Sequence, residues 1–234
     1  MRSIGDNLQA VLQRIARAAR AARRDPAEVT LLAVSKTHPA ARVREAFEAG
    51  QRAFGENYVQ EALEKMDQLP GLEWHLVGPL QSNKTRMAAE RFQWVHTVDR
   101  EKIARRLSEQ HPASAPPLNV LVQVNVSGEK SKSGVLPGEA EFLVKTTGAL
   151  PRLRLRGLMA IPEPGAHRER FHEVRDVFEK LKGEFGLDTL SMGMSDDMET
   201  AIAEGSTMVR IGTAIFGNRE QGEKVVPPHP PVRL

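Results

Sequence analysis

Hydrophobic positions along the chain follow two periods, one typical of helices and one typical of buried strands. Near the amino terminus, apolar residues recur at helical spacing behind Ser3, which predicts an amphipathic helix over residues 3–23. Residues 29–34 then form a continuous apolar run rich in β-branched side chains, as expected for a strand buried in a parallel sheet. Polar residues and a proline follow at once, so Lys36 is expected at the carboxyl end of this first strand.

Strand and helix patterns continue to alternate through the rest of the chain. Seven further strand candidates cover residues 52–57, 73–78, 94–98, 118–126, 153–159, 189–192 and 207–211. Nearly all are separated by helical segments, and the segment 118–126 is expected to be the longest strand. This alternation predicts an α/β protein built as a single (β/α)8 TIM barrel with an extra N-terminal helix. An open, doubly wound sheet is the alternative.

The domain organisation follows from the same pattern. We expect one barrel domain over residues 1–219, because the alternating units run without interruption through that range. Residues 220–234 are too rich in proline for a helix or a sheet, so they are expected to form an extended or disordered tail.

Composition narrows the class of protein. The chain has 234 residues, of which 40% are hydrophobic, and this is enough for a packed core. It has no cysteine, so disulfides and thiolate metal sites are excluded. No stretch approaches the roughly 18 apolar residues of a membrane span, and the amino terminus lacks the apolar core of a signal peptide. We therefore expect a soluble, cytoplasmic protein without a membrane partner.

The charge pattern leaves one alternative open. Basic residues number 33 against 30 acidic ones, a net charge of only +3. The first predicted helix and the residue after it carry a cluster of arginines, namely Arg14, Arg17, Arg20, Arg23 and Arg24. Such a cluster could bind nucleic acid. Because arginines on the outer face of an amphipathic helix are common, we do not expect a nucleic-acid partner.

The residues at the predicted carboxyl ends of the strands form a set that is more polar than the strands themselves, and the active sites of (β/α)8 barrels lie at these ends. In chain order these are Lys36, Asn57, His75, Thr97, Asn125, Met159, Ser191, Met192 and Arg210. Lys36 has two interpretations. Its stem can lie along the edge of the core while its ammonium reaches water. Alternatively, partial burial can activate its amine to attack a carbonyl and form a Schiff base.

Two segments that follow the seventh and eighth strands have the features of an anion site. In residues 191–197 a glycine turn leads into a helix whose predicted N-cap is Ser195, so backbone N–H groups and a hydroxyl would face outward. After Arg210, Gly212 allows close backbone approach and Thr213 supplies a hydroxyl donor. Barrels of this kind often hold a phosphate after these two strands. A plain helix cap and a plain turn are the alternative interpretations.

Five segments together resemble the signatures of the pyridoxal phosphate homeostasis proteins. They occur in the family's order and cover residues 32–37, 54–61, 74–84, 190–197 and 209–217. The resemblance runs from about residue 4 to residue 219. It implies a single barrel similar to the amino-terminal domain of bacterial alanine racemase, with pyridoxal 5'-phosphate as cofactor.

The resemblance also implies a role for individual residues. Lys36 matches the lysine that holds the cofactor as an aldimine, and Arg210 matches the arginine that faces the pyridine nitrogen. The phosphate contacts are matched by Ser195, Gly212 and Thr213. Three further residues lie at strand ends that would line the site, with less defined roles: Asn57, His75 and Met159.

These implied roles favour a cofactor-holding protein over an enzyme. Arg210 would leave the pyridine nitrogen unprotonated, and this weakens the ring as an electron sink. Racemases also use a tyrosine from a second, carboxyl-terminal domain that we do not expect here. The resemblance thus implies intracellular pyridoxal phosphate (vitamin B6) and amino-acid homeostasis without established catalytic activity. We expect a monomer, with apo pyridoxal phosphate enzymes as candidate recipients of the cofactor.

Two enzymatic alternatives remain open from the sequence. One is a weak pyridoxal phosphate-dependent racemase or lyase that acts on amino acids and uses Tyr58 or His75 as a second base. The other is a Schiff-base aldolase-like barrel that acts on a sugar phosphate with the same lysine and no cofactor.

Overall fold

Eight parallel strands form a closed barrel in the order of the sequence. The structure is a computed structural model, and it describes residues 3–129, 132–163, 165 and 167–217. The strands are β1 (Thr30–Val34), β2 (Ala53–Glu56), β3 (Glu73–Leu76), β4 (Trp94–Val98), β5 (Leu118–Val124), β6 (Leu153–Ala160), β7 (Thr189–Ser191) and β8 (Met208–Ile211). Because β1 pairs with both β2 and β8, the sheet has no edge. The predicted (β/α)8 barrel is confirmed, and the open sheet is excluded.

Helices connect the strands. They are α1 (Ile4–Ala21), α2 (Ala40–Glu48), α3 (Val59–Gln68), α4 (Thr85–Arg91), α5 (Glu101–Gln110), α6 (Ala140–Gly148), α7 (Arg168–Phe185), α8 (Met198–Ala203) and α9 (Thr213–Phe216). Helix α1 precedes the first strand, so the expected extra N-terminal helix is confirmed. In the part of the chain that the structure describes, no helix is both long enough and apolar enough to cross a membrane. The predicted tail, residues 220–234, lies outside the described residues.

Helix α1 begins where its sequence supplies a capping box. The hydroxyl of Ser3 accepts a hydrogen bond from the Asp6 N–H at 3.0 Å, and the Asp6 carboxylate accepts one from the Ser3 N–H at 3.2 Å. One face of the helix is buried, through Ile4, Leu8, Val11, Ile15 and Ala19. The helical periodicity in the sequence therefore identified both the start of this helix and the side that packs on the barrel.

Two arginines of the basic cluster fasten this region of the chain to α8. Arg14 forms an ion pair with Glu199 at 2.9 Å, and Arg24 donates to the carbonyl oxygens of Ile202 and Ser206, each at 2.8 Å. These contacts occupy two cations of the cluster within the fold. They favour the structural interpretation of the cluster over the nucleic-acid one.

Strand β5 is shorter than the sequence predicted. It ends at Val124 and has 7 residues, whereas β6 is the longest described strand, with 8. The chain leaves the β5 ladder because Asn125 bonds elsewhere: its N–H donates to the Val135 carbonyl at 2.8 Å, and its amide donates to the Glu129 carbonyl at 2.9 Å. The prediction that residues 118–126 form the longest strand was wrong for this reason.

The interior of the barrel is packed separately from the main core. Leu31 and Ala33 belong to the large apolar core, whereas Leu32, between them, packs in a small cluster with Val77 and Met208. Since side chains alternate across a strand, Leu32 faces the opposite side, inside the barrel. A second small cluster joins Trp94, Leu121 and Met159. Polar side chains fill the remaining interior space.

Candidate functional site

A cavity of about 330 Å³ lies where β1 and β8 end. Its walls include Lys36, Gly212 and Thr213, three of the residues singled out from the sequence, together with Val34, Thr37, His38 and Gly217. This volume is at the lower end of the range for small-molecule sites. The barrel therefore brings the amine of Lys36, just after β1, and the glycine-threonine turn after β8 into one pocket.

Gly212 is confined by the neighbouring strand. A Cβ atom at this position would lie 3.1 Å from the carbonyl oxygen of Val34, closer than ordinary van der Waals contact. Lys36 is half-buried beside this turn, and Thr213, the first residue of α9, is exposed. The backbone can approach a bound anion at Gly212 because no side chain stands in the way.

Arg210 lies beneath this turn as a buried cation, with only 5% of its surface exposed. It is in register with Leu32 of β1. One guanidinium nitrogen, Nη1, donates to the carbonyl and the hydroxyl of Ser191 at 2.8 and 2.9 Å, and Nη2 donates to the Ala160 carbonyl at 2.9 Å. Burial lowers the pKa of Arg210 to about 10, against the opposing charge of Asp197. Arg210 therefore carries a positive charge at neutral pH.

Ser195 lies in the segment between β7 and α8, which is tied to β8. The Arg210 N–H donates to the Gly193 carbonyl at 3.0 Å, and the Ser195 carbonyl accepts from Arg14 at 3.2 Å. The predicted N-cap role of Ser195 was wrong, because α8 begins only at Met198 and Asp197 occupies the cap position. The Asp197 carboxylate instead accepts from the Met194 N–H at 2.6 Å and closes the turn that contains Ser195.

Asn57 follows β2 and is half-buried, and the next residue, Tyr58, is 60% exposed. Gly78, after β3, packs directly on the backbone of Asn57: a Cβ on Gly78 would lie 2.1 Å from the Asn57 carbonyl oxygen. Only glycine fits at position 78 without moving this segment. The position of Asn57 therefore depends on the absence of a side chain in the neighbouring loop.

His75 and Met159 lie inside the barrel and have no exposed surface. Met159 packs against Trp94 and Leu121, and the His75 ring stacks on Trp94 with ring centroids 5.1 Å apart. Neither side chain belongs to the walls of the cavity beside Lys36, so the expectation that they line the site stays a prediction.

A buried ionic cluster of Glu56, Glu61 and Lys65 was missed in the sequence. The Lys65 Nζ atom lies 2.6 Å from Glu56 Oε1 and 2.7 Å from Glu61 Oε1. Burial raises the pKa of Glu56 from 4.5 to about 7, although Lys65 and the Ser35 hydroxyl act in the opposite direction. Glu61 and Lys65 are four residues apart on α3, and this spacing was the available signal.

This ionic cluster holds the backbone on both sides of Lys36. Lys65 Nζ donates to the Ser35 carbonyl at 2.8 Å, and the Glu61 carboxylate accepts from the Thr37 N–H at 2.6 Å. Thr37 has φ of 66°, in the left-handed region that residues other than glycine rarely adopt. The cluster therefore fixes a strained turn and with it the direction in which Lys36 leaves β1.

Comparisons with known proteins agree with this geometry. The family described as "Alanine racemase, N-terminal domain" matches residues 7–220. A relative named pyridoxal phosphate homeostasis protein, from Pseudomonas aeruginosa, is 61% identical over 228 residues, which are 95% of this chain and 98% of the relative. Its namesake from Escherichia coli K12 is 55% identical over 234 residues, covering 96% of this chain and all of that protein (100%).

Solved structures extend the comparison. PipY of Synechococcus elongatus, in the form with pyridoxal phosphate bound, is 38% identical, covers 92% of this chain and 100% of its own, and superposes with a TM-score of 0.80. D-Threonine aldolase from Filomicrobium marinum is 20% identical with a TM-score of 0.74, and only 62% of its chain is covered, so it shares the fold alone. The chain belongs to the alanine racemase N-terminal domain family and, within it, to the pyridoxal phosphate homeostasis proteins.

Proposed function

We propose that this protein binds pyridoxal 5'-phosphate in the cavity beside Lys36 and holds it reversibly as part of pyridoxal phosphate and amino-acid homeostasis. The observation that carries the proposal is the pocket in which Lys36, Gly212 and Thr213 meet, after the strand that carries the buried cation Arg210. The cofactor-bound form of the similar protein PipY and the names of the bacterial relatives support it.

The residues present fit this cofactor. When bound, the cofactor supplies an aldehyde that condenses reversibly with a primary amine and releases water. Lys36 offers that amine at the wall of the cavity. For the phosphate we propose Ser195, Gly212 and Thr213, because two hydroxyl-bearing residues and an unhindered backbone suit an anion. Asn57, half-buried at the end of β2, is proposed as a further contact.

Arg210 favours holding over turnover. Its guanidinium is a permanent donor at neutral pH, so a ring nitrogen placed against it would accept a hydrogen bond and stay unprotonated. An unprotonated pyridine is a weak sink for the electrons of a substrate carbanion. Of the two candidates for the second base that a racemase needs, His75 is fully buried, and Tyr58 is 60% exposed to solvent. We therefore propose a reservoir for the cofactor rather than an amino-acid racemase or lyase.

The proposed setting follows from this role. We propose a cytoplasmic monomer that passes its cofactor to apo pyridoxal phosphate enzymes, since a reversible covalent bond allows release. The cysteine-free composition fits a reducing compartment. The molecular mass of the cofactor-loaded protein, measured by light scattering, tests whether it is a monomer. Reactivation of an apo enzyme by loaded protein, across a range of dilutions, tests the transfer.

One experiment separates the reservoir from the enzyme. The loaded wild-type protein, Lys36→Ala and the control Lys102→Ala, on the exposed surface of α5, are freed of unbound cofactor and incubated with amino acids. We expect wild type and Lys102→Ala to retain the cofactor, Lys36→Ala to lose it, and chiral analysis to find no turnover. Turnover that Lys36→Ala abolishes would establish the racemase or lyase instead.

A further inference from the structure

A continuous row of polar side chains crosses the interior of the barrel and ends at Arg210. It begins at Glu73, the first residue of β3, whose side chain is 49% exposed. Glu73 Oε1 lies 2.7 Å from His75 Nε2, and His75 Nδ1 lies 2.9 Å from His96 Nε2. His96 Nδ1 lies 3.3 Å from the Ser191 hydroxyl, which accepts from Arg210 Nη1 at 2.9 Å. Four strands contribute to this row.

The two ends of the row fix the direction of every hydrogen bond in it. The Glu73 carboxylate can only accept, so His75 Nε2 must carry the proton and His75 Nδ1 must be bare. His96 Nε2 then donates to His75, and His96 Nδ1 is bare and accepts from the Ser191 hydroxyl. That hydroxyl in turn accepts from Arg210, which can only donate. All four bonds therefore point the same way, from Arg210 to Glu73.

The surroundings agree with neutral rings between two opposite charges. His75 and His96 are fully buried, and burial lowers the pKa of both imidazoles. Arg210 lowers the pKa of His96 further, and the hydrogen bond from His75 lowers the pKa of Glu73. Arg156 also acts on Glu73, with its guanidinium carbon 4.7 Å from the Trp94 ring centroid. The charge that faces Arg210 from outside the row is Asp197.

We infer that Glu73, His75, His96 and Ser191 form a one-way hydrogen-bond chain that positions the Arg210 guanidinium from the opposite end of the barrel. A chain of hydrogen bonds with one common direction polarises each of its members in the same sense. The half-exposed Glu73 carboxylate, at the amino end of β3, thus acts on the Arg210 guanidinium through the chain. Among the described hydrogen bonds, none joins Arg210 to a carboxylate directly. None of the four belongs to the walls of the cavity beside Lys36, so we assign them as positioning residues.

The link from this chain to the cofactor rests on the proposed function, in which Arg210 faces the ring nitrogen. A guanidinium held by Ser191 on one side and by the Ala160 carbonyl on the other can present its remaining donor surface in one direction only. Loosening the Ser191 contact would let the plane of the guanidinium turn. The absorbance of the bound cofactor, which reports the state of its ring nitrogen, should then change.

The first test uses cofactor-free protein and needs no activity. Two-bond ¹H–¹⁵N correlation spectra distinguish the tautomers of a histidine ring, and the variants His75→Gln and His96→Gln assign the two signals. We expect both rings to be neutral, with the proton on Nε2, throughout the neutral pH range. A proton on Nδ1 of either ring, or a cationic ring, would overturn the chain.

Two substitutions at opposite ends test the coupling without touching the histidines. Glu73→Gln removes the charge at an exposed end, and Ser191→Ala removes the hydroxyl between His96 and Arg210. We expect Glu73→Gln to shift the ¹⁵N signals of His96 and Arg210, neither of which contacts Glu73 directly. Ser191→Ala should shift those of His75. Glu90→Gln, on the surface of α4, is the matched control and should move neither. If each substitution changed the ¹⁵N signals only of the residue in direct contact with it, the coupling along the chain would be overturned.

Loading with pyridoxal phosphate then separates the inference from the proposed function. We expect Ser191→Ala to shift the visible absorbance of the bound cofactor and to release it about 2- to 10-fold faster, the ratio expected for one net hydrogen bond. If the cofactor bound to Ser191→Ala absorbed as it does in wild type, with the adduct still on Lys36, the positioning role would be overturned and the proposed function would stand. If the wild type takes up no cofactor, the proposed function fails. The tautomers of the two histidine rings then still test whether the hydrogen-bond chain exists.

Discussion

The Nζ atom of Lys65 lies 2.8 Å from the carbonyl oxygen of Ser35, the residue immediately before Lys36. A second lysine thus contacts the chain next to Lys36, and its amine binds a backbone carbonyl and two carboxylates. Three hydrogen bonds hold the Lys65 amine in place, so it is not free to approach a carbonyl as a nucleophile. Two lysines therefore lie near the end of β1: Lys65 is held in the buried ionic cluster, and Lys36 lines the cavity where we propose that the cofactor binds.

Lys65→Met should strongly destabilise the protein, because it leaves the Glu56 carboxylate buried without its cation. We expect the free energy of unfolding to fall by about 3–5 kcal/mol, the usual effect of breaking a buried pair from one side. Denaturant unfolding measures it. Lys180→Met, which removes an exposed pair with Glu141, is the matched control and should change stability little. Equal effects of the two substitutions would contradict the structural role of Lys65.

Glu56 should give the protein a pH-dependent stability term. Burial raises the pKa of Glu56 in the folded state from 4.5 to about 7, so the protonated carboxyl favours the folded state. This contribution to the free energy of unfolding is fully present below pH 4.5 and is lost as the pH rises through about 7. Glu56→Gln imitates the protonated carboxyl at every pH. The stability of the variant relative to wild type should therefore rise across this window, by at most about 3 kcal/mol.

The comparison needs a carboxylate that does not share this environment. Glu45→Gln, on the exposed face of α2, should show a constant stability difference from wild type over the same pH window. If the free energy of unfolding of Glu56→Gln also differed from that of wild type by a constant amount at every pH, the pKa of the Glu56 carboxyl would have its ordinary value despite burial.

Gly212→Ala should weaken cofactor retention, because the new methyl group would press on the Val34 carbonyl at the wall of the cavity. We expect a loss of stability of about 1–3 kcal/mol, typical of overpacking, and faster release of pyridoxal phosphate in dialysis. Gly183→Ala is the control, since no atom lies within 4 Å of its new Cβ in α7. That substitution should stabilise the helix by about 0.5–1 kcal/mol and leave retention unchanged. Full retention by Gly212→Ala would argue against close backbone approach of a ligand there.

The sequence was sufficient for the barrel because the alternation of strand and helix patterns is long-range and redundant. The hydrophobic run that ends at Lys36 located β1 correctly, and the glycine at position 212 marked the turn that meets it. Both signals are local. One is a hydrophobic strand that ends near a charged residue, and the other is a glycine at a place where two backbone segments come close. The barrel topology then brought the two together, since β1 and β8 are neighbours in any closed barrel of this type.

The depth of a side chain inside the barrel could not be predicted in the same way. The sequence places His75 and Met159 near the carboxyl ends of β3 and β6, but it does not show that both side chains are fully buried inside the barrel. Both faces of a parallel strand are buried, so the hydrophobic pattern does not mark which side chain points inward. The N-cap prediction for Ser195 was wrong for a different reason, since Asp197, two residues later, occupies the cap position and its carboxylate accepts from the Met194 N–H.

The central claim, that Lys36 holds pyridoxal phosphate, is tested most directly by mapping the covalent adduct. The protein is incubated with the cofactor, its visible spectrum is recorded, borohydride is added, and the digested peptides are identified by mass. We predict a yellow protein whose reduced adduct lies on Lys36, and a folded Lys36→Ala variant without colour or adduct. An adduct on Lys65 or another lysine, or a protein that never takes up the cofactor, would contradict the account.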